Sequence, residues 1–379
     1  MRKGTELNST RSKSMSAATR VIIAAVCMIF ALTQAPTAAP LIQRVGTPLT
    51  HPWGMDFLND NQLFVTERGG ALYLVDLLTG NRKAIKNLPE VAAARQGGML
   101  DVAVWRNKVD NSLSVYLCYS RPVGGKTVTA IDRAGFDGTA LTNRTTIFSA
   151  NNPSRSAIHY GCRLAVDNTY LYASLGERGA RDDAQNPALH AGAIIRLQHD
   201  GTPSKGNPNK AGWAPEILSK GHRNPQGMTL HPSTGALWAH EHGPRGGDEI
   251  NIIRPGENYG WPKVSHGREY FGPTIGSGKA APGLVDPVWV WTPSIAPSGM
   301  VFYQGDMFPD LNGHLLVGSL KFQRLYLVVL ENGLPAREVV MMDGAIGRVR
   351  DVAVAFDGSV LLLSDEEDGG LYRIAEAGQ

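Results

Sequence analysis

Six times along this 379-residue chain, a small residue and an apolar strand lead through a polar turn into a second, alternating strand. The copies are Gly54-Met55-Asp56-Phe57 with Leu63-Phe64-Val65-Thr66, Gly98-Met99-Leu100-Asp101-Val102 with Leu113-Ser114-Val115-Tyr116-Leu117, and Cys162-Arg163-Leu164-Ala165-Val166 with Leu171-Tyr172-Ala173-Ser174. They continue as Gly227-Met228-Thr229-Leu230 with Leu237-Trp238-Ala239-His240, Gly299-Met300-Val301-Phe302 with Leu315-Leu316-Val317-Gly318, and Val352-Ala353-Val354-Ala355 with Val360-Leu361-Leu362-Leu363. A third strand follows several copies, as in Ala71-Leu72-Tyr73-Leu74-Val75 and Arg324-Leu325-Tyr326-Leu327-Val328. Period-two alternation and the turns Asp200-Gly201, Asn332-Gly333 and Asp357-Gly358 mark antiparallel β-structure, because such dipeptides supply the positive-φ residues that tight hairpins need. A unit of this kind cannot cover its own apolar face, so the copies must pack on one another. The expected fold is therefore all-β, a six-bladed β-propeller. Four strands of about five or six residues in six blades use about 130 residues, and the rest must lie in long loops, mostly on one functional face. A β-sandwich would account for the strands but not for six copies. Helical periodicity is hardly visible, and 43 glycines and 23 prolines agree with a turn-rich chain.

The first 38 residues differ from the rest. Arg2, Lys3, Arg11, Lys13 and Arg20 precede an apolar run from Val21 to Leu32, and small residues follow at Ala35 and Ala38. This is the pattern of an export signal, with the run too short for a comfortable membrane span. A retained anchor is the alternative, and Met15 is a second candidate start. Residues 1–38 are read as a signal peptide and 40–379 as the propeller domain, in a periplasmic or secreted protein without stable membrane insertion. The leader holds five basic residues and one acidic residue, so 37 basic and 34 acidic residues become 32 and 33 without it. Nothing in that balance points to a nucleic acid. Cys118 and Cys162 remain in the mature chain and are free either to pair or to stay buried thiols.

The run from Glu241 to Asn251 (Glu-His-Gly-Pro-Arg-Gly-Gly-Asp-Glu-Ile-Asn) is the densest polar segment. Glu241, Asp248, Glu249 and the carbonyls around Gly243-Pro244 offer the hard oxygens that Ca²⁺ takes, although a solvated acidic turn has the same composition. EF-hand spacing is absent. His159 stands immediately before a strand, where a neutral imidazole is able to act as a general base or to be merely structural. Arg223, Lys321, Arg348 and Arg350 recur at strand entrances or ends, a placement that would let cations from separate blades converge on a polyanion. No Gly-x-Ser-x-Gly elbow, His-Glu-x-x-His helix or phosphate-cradling loop is present.

Taken together, Gln96-Gly97-Gly98-Met99-Leu100-Asp101, His159-Tyr160-Gly161-Cys162-Arg163-Leu164, Gly221-His222-Arg223-Asn224-Pro225-Gln226-Gly227, the Glu241–Asn251 run, Asn258-Tyr259-Gly260-Trp261-Pro262, Ser319-Leu320-Lys321 and Gly347-Arg348-Val349-Arg350-Asp351 resemble the soluble pyrroloquinoline quinone (PQQ)-dependent aldose sugar dehydrogenases of the glucose/sorbosone dehydrogenase family. The resemblance covers the mature chain. It implies oxidation of aldose sugars at the anomeric carbon to lactones, with electrons passed to an external acceptor (a quinone, cytochrome or dye). It implies His159 and Arg223 as catalytic residues. It implies Gln96, Arg223, Asn224, Tyr270, Ser319, Leu320, Lys321, Arg348, Val349 and Arg350 as the PQQ contacts. Gly243 and Pro244 match carbonyl ligands of the cofactor-bound Ca²⁺, and Glu249 and Tyr259 match ligands of a structural one, Tyr259 through its backbone. Ile158 departs from the acidic residue that some glucose-active relatives carry before the histidine, which weakens any claim for a glucose-specific pocket. Two other readings stand beside this one. A calcium-dependent lactonase would hold one metal in the central channel with carboxylates and Asn, and would have no use for Lys321, Arg348 and Arg350 together. A non-catalytic propeller binding a protein or glycan would not need His159, Arg223 and Asn224.

Overall fold

A computed structural model describes residues 40–271 and 274–376; the expected leader lies outside the described residues. Six four-stranded antiparallel sheets follow one another along the chain. Blade 1 is β2 (Pro52–Asn59), β3 (Gln62–Glu67), β4 (Ala71–Asp76) and β5 (Arg82–Ala84); blade 2 is β6 (Met99–Arg106), β7 (Leu113–Val123), β8 (Lys126–Phe136) and β9 (Leu141–Ser149). Blade 3 is β10 (Gly161–Val166), β11 (Tyr170–Leu175), β12 (Ala193–Gln198) and β13 (Ile217–Lys220); blade 4 is β14 (Pro225–Leu230), β15 (Leu237–Glu241), β16 (Asp248–Ile253) and β17 (Trp289–Trp291). Blade 5 is β18 (Pro297–Phe302), β19 (Leu315–Ser319), β20 (Arg324–Glu331) and β21 (Leu334–Asp343). Blade 6 takes β22 (Val349–Val354), β23 (Val360–Ser364) and β24 (Gly369–Ala375) from the end of the chain and its outer strand, β1 (Leu41–Leu49), from the beginning. The β1–β24 register runs from Leu41↔Ala375 to Leu49↔Gly369, so hydrogen bonds close the ring. The innermost strands β2, β6, β10, β14, β18 and β22 each pack against the next, and β22 against β2. The six-bladed propeller expected from the repeats is the observed fold.

The apolar residues form one wedge between each pair of blades. Along β7, Val115, Leu117 and Tyr119 face blade 1, whereas Tyr116 and Cys118 face blade 3. Along β23, Val360 and Leu362 face blade 5, and Leu361 and Leu363 face blade 1. A strand with period-two geometry thus serves two interfaces at once. That is why these strands read as continuous apolar runs. Cys118 on β7 and Cys162 on β10 are joined in a disulfide, Cα atoms 5.6 Å apart, which staples blade 2 to blade 3. Two 3-10 turns, Arg181–Gln185 and Pro309–Leu311, are the helical pieces among the described residues. None there is long and apolar enough to cross a membrane.

One irregularity recurs in every blade. The register of the innermost strand slips near its first residues, between Pro52/Met55, Met99/Asp101, Gly161/Leu164, Pro225/Gly227, Pro297/Met300 and Val349/Asp351. Such bulges re-aim side chains. Here they lie where the innermost strands begin and the second strands end, which antiparallel pairing brings to the same end of the ring.

Candidate active site

That end of the ring carries a cleft of about 840 Å³ which continues into a deeper slot of about 180 Å³. Gln96, His242 and Ala296 line both. His159, Arg223, Gly243, Pro244, Tyr270 and Lys321 line the cleft. Asn224, Leu320, Arg348 and Arg350 line the slot. Residues from all six blades, from Trp53 to Asp365, are therefore gathered on one wall system, as expected of cations from separate blades.

His159 is held on every side. Its φ is 52°, and Gly161 and Cys162 follow at 64° and 73°, a left-handed stretch that costs free energy and clusters at functional sites. Its backbone N–H donates to Gln96 Oε1 at 2.7 Å, and Gly161 N–H donates to Asn224 Oδ1 at 3.1 Å. Arg178 lies flat on Tyr160, 3.6 Å from the ring centre, and donates to the Ile158 carbonyl at 3.0 Å. The imidazole Nδ1 is 2.7 Å from Glu177 Oε1. A carboxylate only accepts, so Nδ1 carries the proton and Nε2 keeps its lone pair on the side away from Glu177. Burial lowers the His159 pKa below its ordinary value; Glu177 opposes this and Arg223 adds to it. The neutral, basic form therefore prevails at neutral pH.

Arg223 is buried, and burial lowers its pKa despite Glu177 and Glu241 nearby. Its Nη1 donates to the carbonyls of His242 (3.0 Å) and Gly243 (3.2 Å), and its Nε is buried without a partner. Arg350 also has a buried Nε without a partner. Unpaired buried donors of charged groups are costly, and anions are what satisfy them. Lys321 makes no ion pair among the described residues and faces the cleft from the end of β19.

The Gly243–Pro244 turn is shaped by Asp248. Its Oδ1 accepts from Gly243 N–H (2.8 Å) and Ser294 Oγ (2.9 Å), and Oδ2 accepts from Ala296 N–H (2.8 Å). Glu241 is spent likewise, on His222 Nδ1 (2.8 Å) and Arg223 N–H. Two of the three acids expected to offer calcium oxygens are thus committed within the protein. The third, Glu249, lies apart from the cleft on β16, within blade 4. Burial, then Glu241, push its carboxyl well up. Beside it Asn251 donates Nδ2 to Glu249 Oε1 at 3.0 Å, while Asn251 Oδ1 is buried without a partner. Tyr259 lies in the same region with its hydroxyl occupied by Ile252 O (2.7 Å) and Arg254 N–H (2.8 Å), which leaves its backbone as the part able to ligate.

Two expected contacts, Ser319 and Val349, turn their side chains away from the cleft and slot. Ser319 is fully buried, with Oγ donating to Ile295 O at 2.6 Å and accepting from Phe322 N–H at 3.2 Å. Val349 packs its side chain into the wedge between blades 5 and 6. Neither side chain lines the cleft or the slot. Conversely, Glu177, Arg68 and Asp365 were not singled out from the sequence. A repeated signal marks two of them: Glu67-Arg68-Gly69 stands at the end of β3 as Glu177-Arg178-Gly179 stands just past the end of β11. Below the slot, the channel axis is filled by Arg163, whose Nη1 lies 3.1 Å from Asp101 and 3.0 Å from Asp351. These carboxylates serve an ion triad.

The glucose/sorbosone dehydrogenase family model matches residues 49–373. The chain is 37% identical to the aldose sugar dehydrogenase YliI of Escherichia coli, over 93% of this chain and 97% of that one. It is 25% identical to quinoprotein glucose dehydrogenase B of Acinetobacter calcoaceticus, over 88% and 86%. Among solved structures, the apo-form soluble aldose sugar dehydrogenase of Escherichia coli superposes with a TM-score of 0.83 at 33% identity, covering 89% of this chain and 99% of that one. The PQQ-bound aldose sugar dehydrogenase of Streptomyces coelicolor superposes with 0.73 at 28%, covering 90% and 99%. With its fold, its cleft and these matches in agreement, the chain belongs to the glucose/sorbosone dehydrogenase family of sugar oxidoreductases.

Proposed function

We propose that this protein is an exported, PQQ- and calcium-dependent aldose dehydrogenase that converts the anomeric CH–OH to a lactone and hands electrons to an external acceptor. The observation that carries the reading is the juxtaposition of His159 Nε2, freed by the Nδ1–Glu177 bond, with four cations from three blades around one cleft and slot. The unpartnered Nε atoms of Arg223 and Arg350 fit a polycarboxylate, and Gln96 and Asn224 have their oxygens engaged and their amide donors to offer. The Gly243 and Pro244 carbonyls fit a cation at the cleft wall. The Asn251 oxygen and Glu249 carboxylate, crowded by other acids, fit a second, structural one.

Bound there, PQQ with Ca²⁺ would supply a two-electron acceptor and a Lewis acid. The chain's own part is to hold, orient and deprotonate. His159 Nε2 takes the proton of the sugar's anomeric hydroxyl, and Glu177 stabilises the imidazolium that forms. Arg223, fixed through its backbone by Glu241, presents a buried positive charge where negative charge develops. Tyr270 stands at the cleft mouth and bounds the sugar's approach. The Cys118–Cys162 bridge supports export to an oxidising compartment. The lactonase alternative loses support because Asp101 and Asp351 are bound to Arg163. The test is reconstitution: purified apoprotein is given Ca²⁺, PQQ or both, then screened with aldoses and a dye acceptor. Turnover that needs both additions is the expected result. Lactone hydrolysis without PQQ, or no turnover of any aldose, overturns the reading.

A further inference from the structure

Asp365, at the end of β23, is buried, and it is the one acid among the described residues that line the slot. Four basic groups surround it. Arg350 bonds to Oδ2, Arg348 Nη2 lies 3.6 Å from Oδ2, His51 Nδ1 lies 2.9 Å from Oδ1, and Arg68 Nη1 lies 4.0 Å from Oδ1. Burial alone would raise this carboxyl, but Arg350 and its neighbours outweigh it and hold it well below the usual range. It is therefore ionised throughout the physiological range. Placing a carboxylate in a slot meant for carboxylates is a paradox unless it has another task.

The distances give that task. Three guanidiniums around one small slot repel one another, and a central anion relieves the repulsion. Yet at 3.6 and 4.0 Å, Arg348 and Arg68 are attracted to Asp365 without forming hydrogen bonds to it, so Asp365 leaves their donors free; of these, Arg348 Nη1 donates to Leu320 O at 3.4 Å. Arg68 makes no side-chain hydrogen bond among the described residues and lines the slot. Its backbone is brought there by Gly98, at φ 145°, where a Cβ would come within 1.9 Å of the Arg68 carbonyl oxygen. We propose that Arg68 is a further contact for a carboxylate of the bound cofactor, and that Asp365 is the positioning residue that fans Arg68, Arg348 and Arg350 toward it. The proposal rests on the PQQ reading above.

Calorimetric titration of the apoprotein with PQQ in the presence of Ca²⁺, at several NaCl concentrations, tests it. Arg68→Gln is expected to weaken binding about tenfold, with a shallower salt dependence than wild type. Arg337→Gln, on the exposed outer strand of blade 5, is the charge-matched control and is expected to bind as wild type does. Asp365→Asn leaves the three guanidiniums without their anion. Its apoprotein is expected to melt at a lower temperature and to gain fewer degrees on PQQ binding than wild type, because Arg68, Arg348 and Arg350 are then no longer fanned toward the ligand. A purely structural role for Asp365 would lower both melting points alike. Wild-type affinity in Arg68→Gln, or an unchanged PQQ-induced rise in Asp365→Asn, overturns the proposal. No PQQ binding by wild type overturns the cofactor reading instead.

Discussion

Replacing Glu177 with Gln isolates the part of catalysis that the His159 partner supplies. When His159 Nε2 takes a proton, a positive imidazolium forms with its Nδ1 2.7 Å from Glu177 Oε1. Charge centres about 4 Å apart attract by about 4 kcal/mol at an effective dielectric of about 20. An amide dipole in the same place recovers part of this, so the expected loss is about 2–4 kcal/mol of barrier, or about 30- to 1,000-fold in kcat. PQQ affinity should hold, because Glu177 lines neither cleft nor slot. The same carboxylate also accepts the Gly179 N–H. Gln has one oxygen to offer the two donors, which costs about 1–3 kcal/mol of stability, read separately from a melt. The distinguishing assay is the pH profile of kcat. Glu177 raises the His159 pKa, so without it the acid limb moves to lower pH while the plateau falls. A folded variant with kcat within twofold of wild type, or an acid limb unmoved, would refute the reasoning.

Other predictions concern pH and stability. The His159 pKa lies below its ordinary value through burial, so the base is neutral above about pH 6.5 and is lost only on further acidification. Accordingly kcat/KM of the wild type should be flat above about pH 6.5 and fall below it; a limb centred above pH 7 would contradict this. Replacing both Cys118 and Cys162 with Ser opens a link between residues 44 apart and should cost about 4 kcal/mol in urea unfolding, with activity retained at room temperature. Arg163→Met strands the Asp101 and Asp351 carboxylates in the channel, a loss of about 3–5 kcal/mol. Burial already raises both carboxyls, that of Asp101 to about 7. A raised carboxyl withdraws stability as pH climbs through it, so the loss should be larger at pH 8 than at pH 5.5; equal losses at both would tell against the triad.

The blades were legible where strands are buried on both faces. β3, β7, β11, β15, β19 and β23 serve two wedges at once, so their central stretches are apolar and recur recognisably. The outer strands carry no such mark. β5 is exposed along its three residues, β21 is exposed along most of ten, and β1 reads as a polar segment because one partner, β24, defines it. β8 was missed because Lys126, Asp132 and Arg133 interrupt its pattern. The site was legible as separate motifs and not as pairs. His159 and Glu177 meet because β10 and β11 are antiparallel neighbours, and Arg68 meets Asp365 because the ring closes between blades 6 and 1. No spacing along a chain encodes that second meeting. The partners of Glu241 and Asp248 were hidden for a related reason: a carboxylate in a polar run looks the same whether it faces a cation or a backbone amide.

His159→Ala, reconstituted to the same PQQ occupancy as wild type, weighs the whole account in a single turnover number. General-base loss should lower kcat with a good aldose by about 10²- to 10⁴-fold, with PQQ bound as tightly as before. Wild-type turnover at equal occupancy would mean that the imidazole held by Glu177 does not move the proton.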